Sequence, residues 1–157
     1  MNDTEHKLTV LKKIAEHFNK AGITWAVGAS LLLYFKNITD IFHDIDLMVL
    51  EDDIEKVKDI LSELGTLQPA NPNAKYRTHY FLEYVVDDVD IDVMAGFVIV
   101  NDCVEYDCSL KKESIAEKIA LGNASIPLQS LSTWKRYYTL MGRADKVAML
   151  SSVPDAL

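Results

Sequence analysis

Two short segments constrain this chain more than anything else in it: His43-Asp44-Ile45-Asp46-Leu47 and Val89-Asp90-Ile91-Asp92-Val93. In each, an acid alternates with an aliphatic residue at a period of two. An extended strand sorts that pattern cleanly, acids on one face and aliphatics on the other, because alternate side chains of a strand share a face. Asp44 and Asp46 then project together about 6–7 Å apart, as do Asp90 and Asp92. If the two segments are neighbouring strands about 4.8 Å apart, three carboxylates converge on one point. Such a cluster repels itself unless a cation occupies it. Oxygen-only ligands suit a hard ion, so Mg²⁺ or Mn²⁺ is the expected occupant, and Mg²⁺ commonly arrives with substrate phosphates. The plainer reading of either segment alone is a solvated strand edge or turn in an acidic protein.

The remaining periodicities supply a frame for these strands. From Thr4, Leu8, Leu11, Ile14 and Phe18 recur at helical spacing, with Gly22 as a stop. A short apolar run, Ile23 to Val27, ends in Gly28-Ala29-Ser30 and is followed by a second helix over 31–36. After the strand from Ile45 to Leu50, Asp52 and Asp53 open a third helix with Ile54, Val57, Ile60, Leu61 and Leu64 on one face. Residues 68–73 have loop chemistry. Strands over 79–86, 89–94, 97–100 and 103–106, separated by turns, read as an antiparallel meander. From Ser130 a helical tail runs through Trp134, Tyr137, Tyr138 and Met141, is interrupted at Gly142, and resumes to Leu150. Strand–helix–strand order followed by hairpins predicts an α+β (α/β) fold, a mixed sheet with helices packed on it. At 157 residues, one domain spanning 1–157 is expected.

Gly28-Ala29-Ser30 sits where a strand gives way to a helix, and helix N-terminal N–H groups with a serine hydroxyl suit an anion such as a triphosphate. Its ordinary alternative is a small-residue turn with Ser30 as an N-cap. The net charge of −8 argues against a nucleic-acid coat protein, which draws on clustered Lys and Arg. Cys103 and Cys108 have no partners at metal-ligand spacing and read as free thiols of a reducing cytoplasm. The first residues, MNDTEHKLTV, lack the sections of a signal peptide, and no apolar run approaches the roughly 20 residues of a membrane span. A cytoplasmic protein without a membrane partner is expected.

Taken in order, Ala29-Ser30, Asp44-Ile45-Asp46 and Asp92 resemble the nucleotidyltransferase superfamily, whose pattern is a Gly-Ser turn, a later Asp-x-Asp or Asp-x-Glu, and a third acid on a further strand. Trp25-Ala26-Val27, His43-Asp44-Ile45-Asp46, Ile91-Asp92-Val93-Met94, Ile126-Pro127-Leu128 and Leu140-Met141-Gly142-Arg143-Ala144-Asp145-Lys146 extend the resemblance to a branch of small single-domain proteins similar to lincosamide nucleotidyltransferases. It covers the chain from about Leu8 to Leu150. One departure stands out: Ala29 occupies the position of the usual glycine, with Gly28 one residue early.

The resemblance implies transfer of a nucleoside monophosphate from an NTP to an acceptor hydroxyl, on a small molecule such as an antibiotic or on a protein, with Mg²⁺ or Mn²⁺ held by Asp44, Asp46 and Asp92. Asp92 matches the family position before Val93-Met94, yet Asp90 remains open, because a two-residue slip keeps the same face. Gly28, Ala29 and Ser30 are the expected nucleotide-binding turn, and Lys135, Arg143 and Lys146 the expected positive charge for the triphosphate. Solvated helix faces are the ordinary alternative for each cation. Two other functions fit the same residues: a toxin–antitoxin or phage-defence component, and a nucleotide-binding regulatory protein that has lost turnover, as the Ala29 departure would allow. So short a chain has no evident second domain for an acceptor pocket, which leaves a homodimer interface or a partner protein to supply it.

Overall fold

A computed structural model of the protein describes residues 2–70 and 77–156. The chain runs α1 (Asp3–Lys20), β1 (Trp25–Val27), α2 (Ala29–Phe35), β2 (Ile45–Val49), α3 (Ile54–Leu64), β3 (Thr66–Leu67), β4 (Tyr80–Val86), β5 (Val89–Ala95), β6 (Val98–Asn101), β7 (Val104–Asp107), β8 (Glu117–Leu121), β9 (Ala124–Leu128), α4 (Leu131–Met141) and α5 (Ala144–Ser151). Residues 71–73 of the expected loop lie outside the described residues. The helix α1 begins at a capping box, in which Asn2 Oδ1 accepts from the Glu5 N–H at 2.8 Å and the Asn2 N–H donates to Glu5 Oε2 at 3.3 Å. Its Leu11, Ile14 and Phe18 are fully buried, the face the apolar spacing assigns inward.

Among the described residues, seven strands form one mixed sheet in the order β3-β4-β5-β2-β1-β9-β8. β1 and β2 pair antiparallel, with Val27 opposite Leu47. The chain therefore leaves β1 and enters β2 at the same end of the sheet, with α2 and the following loop as an excursion from that end. This is what brings the Gly28 turn beside the Asp-x-Asp strand: the Gly28 N–H donates to the Asp46 carbonyl at 3.3 Å. The parallel pairings are β2 with β5 and β1 with β9. Ile45, Leu47, Ile91 and Val93 are fully buried on one face of the sheet, in the core that α1 and α3 share.

The expected four-stranded meander is corrected at its midpoint. β4 and β5 pair as a hairpin, but β6 and β7 form a two-stranded sheet of their own. The chain swings away at Gly96, and the apolar residues that follow find α4 instead of β5. Phe97 stacks on Trp134 with ring centroids 6.3 Å apart and meets Tyr137 edge-on at 5.8 Å. The Asn101 amide donates to the Leu140 carbonyl at 2.8 Å. Such aromatic packing adds about 0.5–1.5 kcal/mol per pair beyond area burial.

Hairpin β8–β9 has no counterpart among the expected strands. Pro127 lies inside β9, opposite Lys118, and proline argues against a mid-sheet strand. The helical tail breaks where expected: Gly142 has φ +75 and caps α4, a left-handed conformation that glycine adopts without strain. Cys103 is exposed and Cys108 buried, and neither forms a disulfide. No helix among the described residues is long and apolar enough to cross a membrane.

Candidate active site

The pleat places the acids opposite the core. Asp46 on β2 is the register partner of Asp92 on β5, and Asp92 is in turn the partner of Glu83 on β4. These three carboxylates therefore form one row across adjacent strands on one face. Asp44 precedes β2 by one residue. Of the two candidates on β5, Asp92 is half-buried and lines a cleft, whereas Asp90 is exposed and stays outside its lining.

That cleft has a volume of about 380 Å³. Asp44, Asp46 and Asp92 form its acidic floor, Ala29 and Ser30 border it, and His43, Arg143 and Lys146 also line it. Phe81, Met94, Phe97, Trp134, Tyr138 and Met141 make an apolar wall. A larger recess, about 640 Å³, lies beside Tyr34 to Asp40, and another of about 430 Å³ beside Asn19 and Trp25, but neither gathers acids with cations. Two of the expected nucleotide-binding residues are not brought to the cleft. On α4 the cleft-facing positions are Trp134, Tyr138 and Met141, and Lys135 falls one step round the helix from them. Gly28 is instead packed beneath Trp134: a Cβ there would lie 2.6 Å from the indole Nε1.

Ala29 holds φ +53. The turn thus keeps the left-handed backbone that glycine adopts freely, although an alanine occupies it, a conformation unfavourable by roughly 1–2 kcal/mol for an L-residue.

Electrostatics set the floor under tension. Burial pushes the Asp46 carboxyl well above the usual carboxylate range, and Asp92 and Asp44 push it further. Burial first, then Asp44, Glu83 and Asp90, raises Asp92 to about 7, against a hydrogen bond from Asp46 that lowers it. Asp44 is raised by burial and Asp90 and held back by His43 and Lys7. Lys7 reaches this region from α1, its Nζ donating to the Phe42 carbonyl at 2.9 Å. Asp46 and Asp92 hydrogen-bond each other, and without a cation burial and mutual repulsion disfavour ionising both. Burial also drives the Tyr138 phenol far up, Asp46 adds to the shift, and Arg143 and the Ser30 hydroxyl oppose it.

All the donors are carboxylate oxygens, and their mutual repulsion is what a divalent cation relieves, so the chemistry fits a hard ion. Among the described residues no three His, Cys, Asp or Glu side chains already stand in metal-holding geometry. The carboxyls would turn from each other toward the ion on binding.

A pH dependence follows. The folded-state values of Asp44, Asp46 and Asp92 lie above their ordinary value of 3.8, so the folded protein binds more protons than the unfolded chain. The contribution of Asp92 is fully present below about pH 4 and is lost as the pH rises through about 7, and Asp44 and Asp46 act in the same direction. Asp87, Asp107 and Asp145 are lowered and act in the opposite sense, but they are exposed and matter only below their ordinary range. Urea titrations in EDTA should give a lower midpoint at pH 8 than at pH 5; a higher midpoint at pH 8 would contradict the buried repulsion.

Glu83, Lys7 and the Phe81–Phe97 wall escaped the sequence reading. The alternation of Phe81 and Glu83 along a strand was visible, but not the neighbour that it faces.

Comparison with solved structures shows that the chain has the nucleotidyltransferase fold. A protein of Thermotoga maritima assigned provisionally as a nucleotidyltransferase matches with a TM-score of 0.74 and 24% identity, over 96% of this chain and 93% of its own. ANT(2'')-Ia in complex with adenylyl-2''-tobramycin matches with a TM-score of 0.64 and 13% identity, over 94% and 90%. The solution structure of the antibiotic-resistance factor ANT(2'')-Ia gives 0.63 and 14%, over 97% and 79%. No protein-family model and no curated protein matches the chain.

Proposed function

We propose that the protein is a metal-dependent nucleotidyltransferase that moves a nucleoside monophosphate from an NTP to a hydroxyl acceptor. The observation that carries this reading is the convergence of Asp44, Asp46 and Asp92 with Ser30, Arg143 and Lys146 around one cleft. The likeness to ANT(2'')-Ia, seen with an adenylylated tobramycin, favours a small-molecule acceptor such as an antibiotic.

Asp44, Asp46 and Asp92 would hold Mg²⁺ or Mn²⁺, which when bound neutralises charge on the attacking and leaving oxygens of an in-line displacement. Ser30 donates its hydroxyl to the phosphates, and Arg143 and Lys146 offset the charge of the departing pyrophosphate. The acceptor oxygen forms its bond to the α-phosphorus as the bond to pyrophosphate breaks. Asp92, on the strand beside Asp46, would help to take up the hydroxyl proton.

The alternative of a nucleotide-binding regulator without turnover draws on Ala29. Its φ of +53 weighs against that alternative, because the turn keeps its glycine-like backbone.

Incubation with each labelled NTP and Mg²⁺ or Mn²⁺, with and without cell extract, should give metal-dependent nucleotide binding, label transfer and pyrophosphate. No metal-dependent binding at millimolar nucleotide would overturn the proposal; binding without transfer to any acceptor would favour the regulator. Asp92→Asn should reduce transfer by about a hundredfold or more, whereas Asp90→Asn should stay within a few fold. Equal losses in the two variants would mean that the third carboxylate has been misassigned.

A further inference from the structure

Among the described residues, Gln129 is the buried polar side chain, 1% exposed in the link between β9 and α4. Its Oε1 accepts the Trp134 indole N–H at 2.7 Å, and its backbone N–H donates to the Val27 carbonyl at 3.2 Å. Its Nε2 has no hydrogen-bond partner. Burying a donor unpaired is unfavourable, and an apolar side chain of similar size would avoid it. The carboxamide is therefore placed for what its oxygen does.

What it does is set the plane of Trp134. That ring lies against Gly28 closely enough to exclude a Cβ, and the next residue, Ala29, is held at φ +53. The helix that begins there has no side-chain cap bond at Gly28. Val27, Gln129, Trp134 and Gly28 thus close a circuit around the turn, running from strand to carboxamide to indole and back to the backbone.

We propose that Gln129 is a positioning residue: through Trp134 it holds the Gly28-Ala29-Ser30 turn in the strained conformation that presents Ser30 to the cleft. The proposal rests on the nucleotidyltransferase reading for its consequence, not for its geometry. Gln129 touches no substrate; it acts through the indole.

The test compares the full-length protein with Gln129→Met, which removes the acceptor, and Gln129→Glu, which keeps an acceptor oxygen in place. In ¹H–¹⁵N spectra, Gln129→Met should speed solvent exchange of the Trp134 indole N–H and shift or broaden the Ala29 and Ser30 amides. The Leu47 and Val93 amides should stay unmoved. The dissociation constant of the best-bound common NTP with Mg²⁺ should rise about tenfold or more, as displacing a positioned group by an ångström does. Gln129→Glu should restore both readouts. A folded Gln129→Met protein with unaltered Ala29 and Ser30 amides would overturn the proposal. Should Gln129→Met not fold, Trp134→Phe removes the same indole N–H and must loosen the same two amides; if it leaves them unaltered, the clamp does not exist. If the parent binds no NTP, the nucleotidyltransferase reading fails, and the amide readout still decides the clamp.

Discussion

Under the proposed function, Asp46→Asn is expected to lose nucleotidyl transfer by about a thousandfold while melting at a higher temperature than the parent in metal-free buffer at pH 8. The loss follows from the size of the metal contribution, several kcal/mol, at about 1.4 kcal/mol per tenfold. The gain in stability follows from the same carboxylate. Asp46 faces Asp92 across paired strands, and burial, Asp92 and Asp44 all disfavour its charge. Asparagine keeps the volume and the capacity to hydrogen-bond Asp92 but removes one repelling charge. Each kcal/mol recovered raises Tm by about 2–4 °C in a chain of this size. With Mg²⁺ at about a hundred times its dissociation constant the order should reverse, because binding stabilises the parent by about 2.7 kcal/mol. Thermal melts in EDTA and in Mg²⁺, beside a transfer assay, check both halves. An Asp46→Asn protein less stable than the parent without metal would remove the electrostatic argument for the site.

The second large effect lies in two adjacent small residues that respond oppositely. Gly28 has an extended backbone, φ −131 and ψ −167, which any residue adopts, so Gly28→Ala brings no conformational strain. Its entire penalty is steric. The new methyl meets the Trp134 ring, which is 1% exposed and braced by Phe97, Tyr137 and Tyr138. Overpacking of this kind destabilises by about 1–3 kcal/mol, and NTP affinity should fall with it, since Trp134 also walls the cleft. Ala29→Gly, in contrast, releases a φ of +53. That relief of roughly 1–2 kcal/mol is partly offset by the greater unfolded-state entropy of glycine, about 0.4–1 kcal/mol. The net is a neutral to slightly stabilised protein with NTP affinity kept or improved. Urea titrations of the two variants give the contrast directly. A stable Gly28→Ala protein, or an Ala29→Gly protein destabilised by more than about 1 kcal/mol, would show that the roles of the two positions are reversed.

The packing of Gly28 against Trp134 changes how the turn reads. In one dimension, Gly28 looks like a displaced phosphate-binding glycine. In three, it makes room for an indole, and Ala29 itself occupies the left-handed position. Lys135 shows the same gap between composition and placement. It belongs to a basic tail, but the cleft takes residues 134, 138 and 141 of α4, and its cations come from Arg143 and Lys146 beyond the Gly142 break.

Local periodicity by itself determined a good deal of this protein. The apolar spacing of α1 and α3, the period-two alternation of acids and aliphatics in β2 and β5, and the glycine break between α4 and α5 depend only on which side chains share a face of a helix or strand. The choice of Asp44, Asp46 and a third acid on a later strand needs no more than that. Partner choice was not determined there. A strand such as β6 reads the same whether it joins β5 or packs beneath α4, and β9 hides behind Pro127. The pairing of Asp46 with Asp92, the row that continues to Glu83, and the indole over Gly28 were decided only by tertiary packing. A sequence records each side chain's own neighbours along the chain, whereas the charge repulsion and the close contacts at this cleft arise between segments tens of residues apart, and exist only once the sheet has brought them side by side.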